Sequence, residues 1–118
     1  MTHIREKVII VEGLTDKLQI KKVLTDTNTD IVCTHGTLGV EKMDDLLDEH
    51  DLDNRDVYVL VDEDDSGNHI RRQLACELPH ATHIHVDSEF REVAATPVRL
   101  LAEALVSADM AVDPIFLT

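Results

Sequence analysis

Two short apolar segments, each ending at an acidic residue, constrain the fold of this chain more than any other feature. Residues 7–11 and 56–61 are rich in β-branched side chains and almost free of polar ones. Such unbroken runs are typical of strands that are buried on both faces. The first run stops at Glu12 and the second at Asp62. The sequence therefore predicts two inner strands whose carboxyl ends carry acids.

Two further strands are predicted at residues 30–33 and 82–86, and the alternation in the second suits the edge of a sheet. Helical spacing of apolar residues follows each strand. The first predicted helix is capped by Thr15, a turn at residues 35–37 precedes the second, and Thr96 and Pro97 begin the last. The apolar positions expected to face the core are Leu14, Leu18, Ile20, Val23 and Leu24, then Val40, Met43, Leu46 and Leu47, then Ile70, Leu74 and Leu78, and finally Val98, Leu101 and Leu105.

Strands that alternate with helices predict an α/β fold, with a three-layer, Rossmann-like arrangement and a central parallel sheet of about four strands flanked by helices. We expect residues 1–118 to form a single domain. In sheets of this kind, ligands bind beyond the carboxyl ends of the strands, where the strand order reverses. Glu12 and Asp62 both lie at such ends.

The composition limits the possible partners. The chain has 118 residues, 43% of them apolar, and 24 acidic against 11 basic side chains give a net charge of −13. This apolar content argues against disorder, and no apolar run reaches the roughly 18 to 20 residues of a membrane span. We therefore expect a cytoplasmic protein without a membrane partner, whose Cys33 and Cys76 are buried free thiols. Its acidity disfavours nucleic-acid binding unless metal ions or a basic stripe reverse the local charge.

Three carboxylates are predicted to converge. If the first and third strands are neighbours, Glu12 meets Asp62 and Asp64, which are one residue apart on an extended chain. Three acids this close need a counter-cation, and hard oxygen ligands favour Mg²⁺, or Mn²⁺, over zinc. The competing interpretation is that Asp64, Asp65 or Ser66, each taken alone, is an ordinary helix cap.

Glycines and cations beside these acids suit a phosphate ligand. Gly13 and Gly67 allow the backbone to approach a ligand, and the helix amino termini that follow favour phosphate oxygens. Lys17 and Arg71 are candidate phosphate contacts, although a solvated helix face is the simpler interpretation for Arg71 and Arg72.

The sequence resembles the TOPRIM domain, which is shared by topoisomerases, bacterial primases, OLD-type nucleases and recombination-repair proteins. The resemblance rests on residues 8–13, which end in Glu-Gly, on Gly36-Thr37 after the second strand, and on residues 59–67, which contain Asp-x-Asp-x-x-Gly. It spans about residues 6 to 105. His35, next to Gly36, is a secondary candidate at the same edge, as is Asp65.

The resemblance implies a role for each matching acid. Glu12 matches the glutamate that acts as general acid or base, or as a metal ligand in nuclease members, and Asp62 and Asp64 match the magnesium-binding aspartates. Asp16 matches the second acid of a Glu-Gly-x-x-Asp form found in nuclease-type members. It is equally explained as a first-turn residue favoured by the helix dipole.

A looser similarity links residues 92–97 to the ribonuclease family that matures bacterial 5S ribosomal RNA. Those enzymes carry a further carboxyl-terminal region without a counterpart here, which weakens the expectation of an RNA substrate more than that of a metal site. The apolar tail, residues 111–117, is expected to pack either on its own domain or on a second subunit.

Two functions are expected from this resemblance. The first is Mg²⁺-dependent, nuclease-type phosphodiester chemistry on RNA or DNA, with a protein partner. The second is a non-catalytic interaction module that works within a nucleic-acid-processing complex. Primase or topoisomerase activity is not expected of this chain alone, because nothing in it looks like a template-binding or zinc region.

Overall fold

A computed structural model describes residues 6–26, 28–87 and 89–118 of the chain. Strands and helices alternate in this part of the chain, as the sequence predicts, and two short 3₁₀ helices at Leu52–Asn54 and Pro114–Leu117 accompany them. The alternating elements are β1 (Lys7–Val11), α1 (Leu14–Val23), β2 (Asp30–Cys33), α2 (Val40–Glu49), β3 (Asp56–Leu60), α3 (Asp65–Glu77), β4 (Thr82–Ile84) and α4 (Val98–Ser107). None of the helices described is long and apolar enough to cross a membrane.

The four strands form one parallel sheet in the order β2-β1-β3-β4, which confirms the predicted α/β fold and the edge position of β4. The central strand β1 pairs with both β2 and β3, and Ile9 lies opposite Ile31 on one side and Tyr58 on the other. The chain moves from β1 outward to β2 and then crosses to β3. The strand order therefore reverses between β1 and β3.

Two apolar cores cover the two faces of the sheet. Alternate residues of β1 point to opposite faces, so that Ile9 enters one core and Ile10 the other. The first core also contains side chains of α1 and α4, and the second contains side chains of α2 and α3. All four apolar residues of β1 are fully buried, which explains the unbroken run in the sequence.

The first helix differs from its prediction. It begins two residues earlier, at Leu14, with Gly13 as its cap instead of Thr15. Its buried face consists of Asp16, Ile20 and Val23, and consequently Leu14 and Leu18 are exposed. The apolar pattern predicts the wrong buried face for α1, because the carboxylate of Asp16 takes a buried position that an apolar residue would normally fill.

Smaller differences concern the other elements. Val40, expected on the packed face of α2, is 83% exposed because it begins the helix. The strand β4 ends at Ile84, although Val86 beyond it is buried. Pro97 is the cap of α4 and precedes the helix by one residue. Both cysteines are free, but contrary to expectation Cys33 is only half-buried and Cys76 is exposed.

The apolar tail packs on its own domain, one of the two alternatives that the sequence left open. Val112 forms an isolated antiparallel bridge with Leu24, and the backbone N–H of Asp113 donates to the carbonyl oxygen of Val23 at 2.9 Å. Phe116 then packs against the core formed by α1 and α4.

Candidate functional site

The candidate site lies where β1 and β3 end side by side. Their parallel pairing places Ile10 opposite Val59, so the chain leaves the sheet at neighbouring points. Glu12 follows β1 directly, and Asp62 follows β3 after one more residue. Glu12 and Asp62 therefore follow neighbouring strands at the reversal of strand order, where open α/β sheets bind ligands.

Glu12 is half-buried and its carboxylate is only partly satisfied. The Ser66 hydroxyl lies 3.5 Å from Oε2, whereas Oε1 is buried without a hydrogen-bond partner among the residues that the structure describes. Burial raises the pKa of Glu12 above its usual value, the charges of Asp62 and Asp64 raise it further, and the backbone N–H of Asp62 partly offsets this increase. The carboxylate therefore has a buried oxygen and an excess of negative charge around it.

Asp62 is held by the segment that follows β4. Its Oδ1 accepts a hydrogen bond of 2.8 Å from the backbone N–H of Val93. Burial raises the pKa of Asp62, the Val93 bond partly offsets this, and the charges of Asp64 and Glu92 add to the increase. The orientation of Asp62 thus depends on a residue that is distant in sequence.

Asp64 caps helix α3. Its Oδ1 accepts a hydrogen bond of 2.7 Å from the backbone N–H of Gly67, so the helix-cap interpretation is correct for this residue. The bond uses one oxygen of a carboxylate that can accept several bonds. Asp65 and Ser66, the other proposed caps, are exposed in the first turn of α3.

Gly67 is required by a close approach between α3 and the backbone of Asp62. A Cβ atom at this position would lie 1.9 Å from the carbonyl oxygen of Asp62, which no side chain tolerates. Gly13 differs, since a Cβ atom there would meet Asp16 Oδ2 at an ordinary 3.8 Å. The two glycines that sequence reasoning treated alike therefore have different roles.

Asp16 fits the first-turn interpretation, one of the two that the sequence left open. Its Oδ2 accepts a 3.2 Å hydrogen bond from the backbone N–H of Gly13, as a first-turn acid does. Asp16 is also buried. Burial raises its pKa, and the negative charges of Asp62 and Glu92 raise it further. Asp16 is thus part of the same group of acids.

The loop after β2 lies beside Glu12. The backbone N–H groups of Thr34 and His35 donate to the carbonyl oxygens of Val11 and Glu12 at 2.8 and 2.7 Å, which extends the β1–β2 ladder beyond both strands. His35 is exposed at a φ of 56°, and Gly36 follows at 106°, a conformation that favours glycine. Both candidates are therefore close to the centre.

The predicted cations separate into different environments. Lys17 is half-buried, and its charge lowers the pKa of the Cys33 thiol at the end of β2, partly offsetting the increase caused by burial. Arg72 is exposed, as predicted. Arg71 is only 7% exposed, so the solvated-face interpretation is wrong for it, and its guanidinium contacts the sheet and not a phosphate site.

Three residues of the site were not identified as candidates from the sequence. Glu92 acts electrostatically on Asp16 and Asp62, and Ser66 contacts Glu12. Thr34 is fully buried, and its hydroxyl has no partner among the described residues. The similarity of residues 92–97 to the ribonuclease family was the available signal for Glu92, whereas a single Ser or Thr carries none.

The donor set fits a hard divalent cation. In the parts of the chain described, no three His, Cys, Asp or Glu side chains are already arranged around a common point. The buried Oε1 of Glu12 nevertheless needs a partner, and the neighbouring donors of Asp62 and Asp64 are carboxylate oxygens. Such donors suit Mg²⁺ or Mn²⁺, which also keep several water ligands.

The chain belongs to the Toprim domain family, a domain associated with Mg²⁺-dependent enzymes that act on nucleic acids; the family match covers residues 7–89. It is 46% identical over 112 residues to the uncharacterized protein YusF of Bacillus subtilis (strain 168), a match that covers 95% of this chain and 75% of that protein. A solved small TOPRIM domain protein from Bacillus stearothermophilus is 41% identical, with a TM-score of 0.89, and the match covers 98% of this chain and 96% of that one. These matches confirm the predicted membership of the family, and the fold agrees with that of a small TOPRIM domain protein.

Proposed function

We propose that this Toprim protein carries out Mg²⁺-dependent phosphodiester chemistry on nucleic acid, as a nuclease-type enzyme that acts on RNA or DNA. The observation that carries this proposal is the state of Glu12. Its Oε1 is buried without a hydrogen-bond partner among the described residues, at the ends of the two inner strands, and it faces the charges of Asp62 and Asp64. A divalent cation and a phosphate ester are partners that suit such a site.

In this proposal each acid has a distinct task. Asp62 and Asp64 would hold Mg²⁺, or Mn²⁺, and when bound the ion would supply positive charge to phosphate oxygens and lower the pKa of water. Glu12 would either complete the metal site or take up and return a proton at Oε1. The Ser66 hydroxyl would orient Glu12 through Oε2.

The backbone supplies further contacts for a phosphate. The helices α1 and α3 both begin at the carboxyl edge of the sheet, and free N–H groups at helix amino termini favour anions. Lys17, in the first turn of α1, is a predicted phosphate contact that is only half-buried. A nucleic-acid backbone could then approach a centre that is otherwise acidic.

The test is a comparison of the parent protein with Asp62→Asn. The carboxamide retains an oxygen for the Val93 N–H but loses the charge, so we expect Mg²⁺ affinity to fall at least tenfold, and cleavage of labelled single- and double-stranded RNA and DNA to fall about 100-fold. Asp44→Asn, on the exposed face of α2, is the matched control and should behave like the parent. Parent-like cleavage by Asp62→Asn would refute the proposal.

A second candidate function is the non-catalytic interaction module. Leu14 and Leu18 are 59% and 58% exposed and one turn apart on α1, immediately after Glu12 and Gly13. Exposed leucines beside the centre favour a protein partner at this edge. Mg²⁺ binding by the parent without cleavage of any of the four substrates would favour this function over the nuclease.

A further inference from the structure

Arg71 is a buried cation that connects the strands β3 and β4. It lies on α3, its Nη1 donates to the carbonyl oxygen of Val59 at 3.2 Å, and its Nη2 donates to that of Ile84 at 2.7 Å. Nη1 also lies 3.3 Å from Nδ1 of His83. A single guanidinium thus bridges the ends of two neighbouring strands.

The same guanidinium reaches the segment that carries the candidate metal ligands. Nη2 lies 3.2 Å from the carbonyl oxygen of Val61 and 3.1 Å from Oε1 of Glu63. These two residues flank Asp62, and Glu63 separates it from Asp64. Arg71 therefore contacts the chain on both sides of the first predicted magnesium ligand.

Glu63 is itself fixed by further contacts. Its Oε1 lies 2.9 Å from Nδ1 of His85, and its backbone N–H donates to the carbonyl oxygen of Arg91 at 2.6 Å. The Glu63 carboxylate thus lies between the buried guanidinium of Arg71 and the imidazole of His85, which follows β4.

Burying this cation carries a cost that the helix packing alone does not require. Burial lowers the pKa of the Arg71 guanidinium, and Nε has no hydrogen-bond partner among the residues described. An apolar side chain would fill the same position without that desolvation. An apolar side chain, however, could not make the contacts that Arg71 makes with the segment after β3.

We propose that Arg71 is a positioning residue for the candidate metal centre. By holding the Val61 carbonyl and the Glu63 carboxylate, it fixes the segment 61–64 so that Asp62 and Asp64 face Glu12. The consequence for metal binding rests on the proposed function, whereas the positioning itself exists in the metal-free protein and can be measured there.

The metal-free test is amide hydrogen exchange. The N–H of Val93 is bonded to the Asp62 carboxylate, so its exchange reports whether Asp62 keeps its position. In Arg71→Gln we expect exchange at Val93 and Glu63 to be about tenfold faster, while Leu105 in α4 remains unchanged. Arg72→Gln, which removes the same charge one residue away from an exposed position, should leave all three amides as in the parent.

Mg²⁺ titration then separates positioning from charge. Removing a nearby cation should by itself tighten Mg²⁺ binding, since less positive charge repels the ion. Loss of positioning should instead weaken Mg²⁺ binding. Mutation of residues that orient metal ligands typically lowers metal affinity by about 10- to 100-fold. We expect Arg71→Gln to weaken Mg²⁺ binding at least tenfold, Arg71→Lys to lie between it and the parent, and Arg72→Gln to match the parent or bind slightly tighter.

Glu63→Ala is the second variant, which serves if Arg71→Gln does not fold. It removes a partly buried side chain and leaves the Arg71 contacts to the strand carbonyls, so the sheet should remain intact. Faster exchange at Val93 with an unchanged Leu105 would support the proposal. Parent-like exchange at Val93 in a folded variant would overturn it, as would tighter Mg²⁺ binding by Arg71→Gln. A parent that binds no Mg²⁺ refutes the proposed function, and the exchange data still decide the positioning.

Discussion

Gly67 is the residue at which the packing of α3 determines the shape of the site. Replacement by alanine places a Cβ atom 1.9 Å from the Asp62 carbonyl oxygen, so helix and loop must separate. We expect Gly67→Ala to lower the free energy of unfolding by about 2 to 3 kcal/mol, despite the better helix propensity of alanine. Urea denaturation measures this change.

Gly39→Ala is the matched control for this prediction. Gly39 caps α2 at a negative φ, and a Cβ atom there meets nothing within 4 Å. Its replacement should change the free energy of unfolding by no more than about 0.5 kcal/mol. Equal losses for the two variants would show that the contact with Asp62 is not the cause.

Residue roles were the least predictable part of this protein. Arg71 at a helical position is read as a solvated cation because most arginines are, and only the three-dimensional neighbourhood reveals the carbonyl oxygens it contacts. Asp16 was identified as a candidate, but its burial, which leaves Leu14 and Leu18 in solvent, was not. A buried polar side chain depends on partners that are far away in sequence, and local patterns do not contain them.

At the scale of elements, the acids that converge from β1, α1 and β3 make stability depend on pH. Burial raises the pKa values of Glu12, Asp16 and Asp62 in the folded, metal-free protein. The folded state then binds protons more tightly than the unfolded chain, whose carboxyls titrate near pH 4. The free energy of unfolding should therefore fall as the pH rises from about 4 through the raised values. Thermal melts in EDTA measure this, and Mg²⁺ should reduce the loss.

Glu12→Gln isolates this carboxyl contribution. The variant lacks one titrating group, so it should exceed the parent in stability at pH 7 by up to about 1 kcal/mol, a small gain because the site is partly solvated. His83 acts in the opposite direction, since burial lowers its pKa and its protonation at low pH opposes folding. That effect is common to both proteins and cancels in their difference. A parent that is more stable than Glu12→Gln at pH 7 in EDTA would contradict the prediction.

In the 3₁₀ helix at Pro114–Leu117, two adjacent residues have opposite environments. Phe116 packs against the core of α1 and α4, whereas Ile115 is 68% exposed. We expect Phe116→Ala to cost about 2 kcal/mol of unfolding free energy and Ile115→Ala less than about 0.5 kcal/mol. Chemical denaturation of both variants tests whether the tail stabilises its own domain. A tail that packed on a second subunit instead would make the Phe116 effect depend on protein concentration.

The elements themselves were largely predictable, because β-branched runs and helical spacing are local signals. The strand bounds of β1 and β2 agree with prediction, and those of β3 and β4 differ by one and two residues at their ends. The neighbour relation of β1 and β3, on which the whole site depends, was a condition in the sequence argument. Only the sheet order in the structure establishes that β1 and β3 are neighbours, because the local sequence does not determine which strands are adjacent.

At the scale of the whole molecule, the net charge of −13 sets the conditions for nucleic-acid binding. With Arg71 buried in the sheet, the candidate centre has little positive charge of its own to attract phosphates. We expect labelled single-stranded RNA to bind at least tenfold more tightly in Mg²⁺ than in EDTA, by fluorescence anisotropy. The Mg²⁺ dependence should disappear in Asp62→Asn and persist in Asp44→Asn. Binding in EDTA as tight as in Mg²⁺ would point to a basic surface elsewhere.

The bridge between Leu24 and Val112 lies at the end of the sheet opposite to Glu12, because α1 runs back from the carboxyl edge to the amino edge. Between this bridge and Thr118 the chain forms a four-residue 3₁₀ helix that rises by about 8 Å, too little to return past strands of about 16 Å. A polypeptide fused after Thr118, or a solid support attached there, would thus be held on the far side of the molecule. Tethering through this end leaves the acidic centre open to long, rigid ligands such as a duplex.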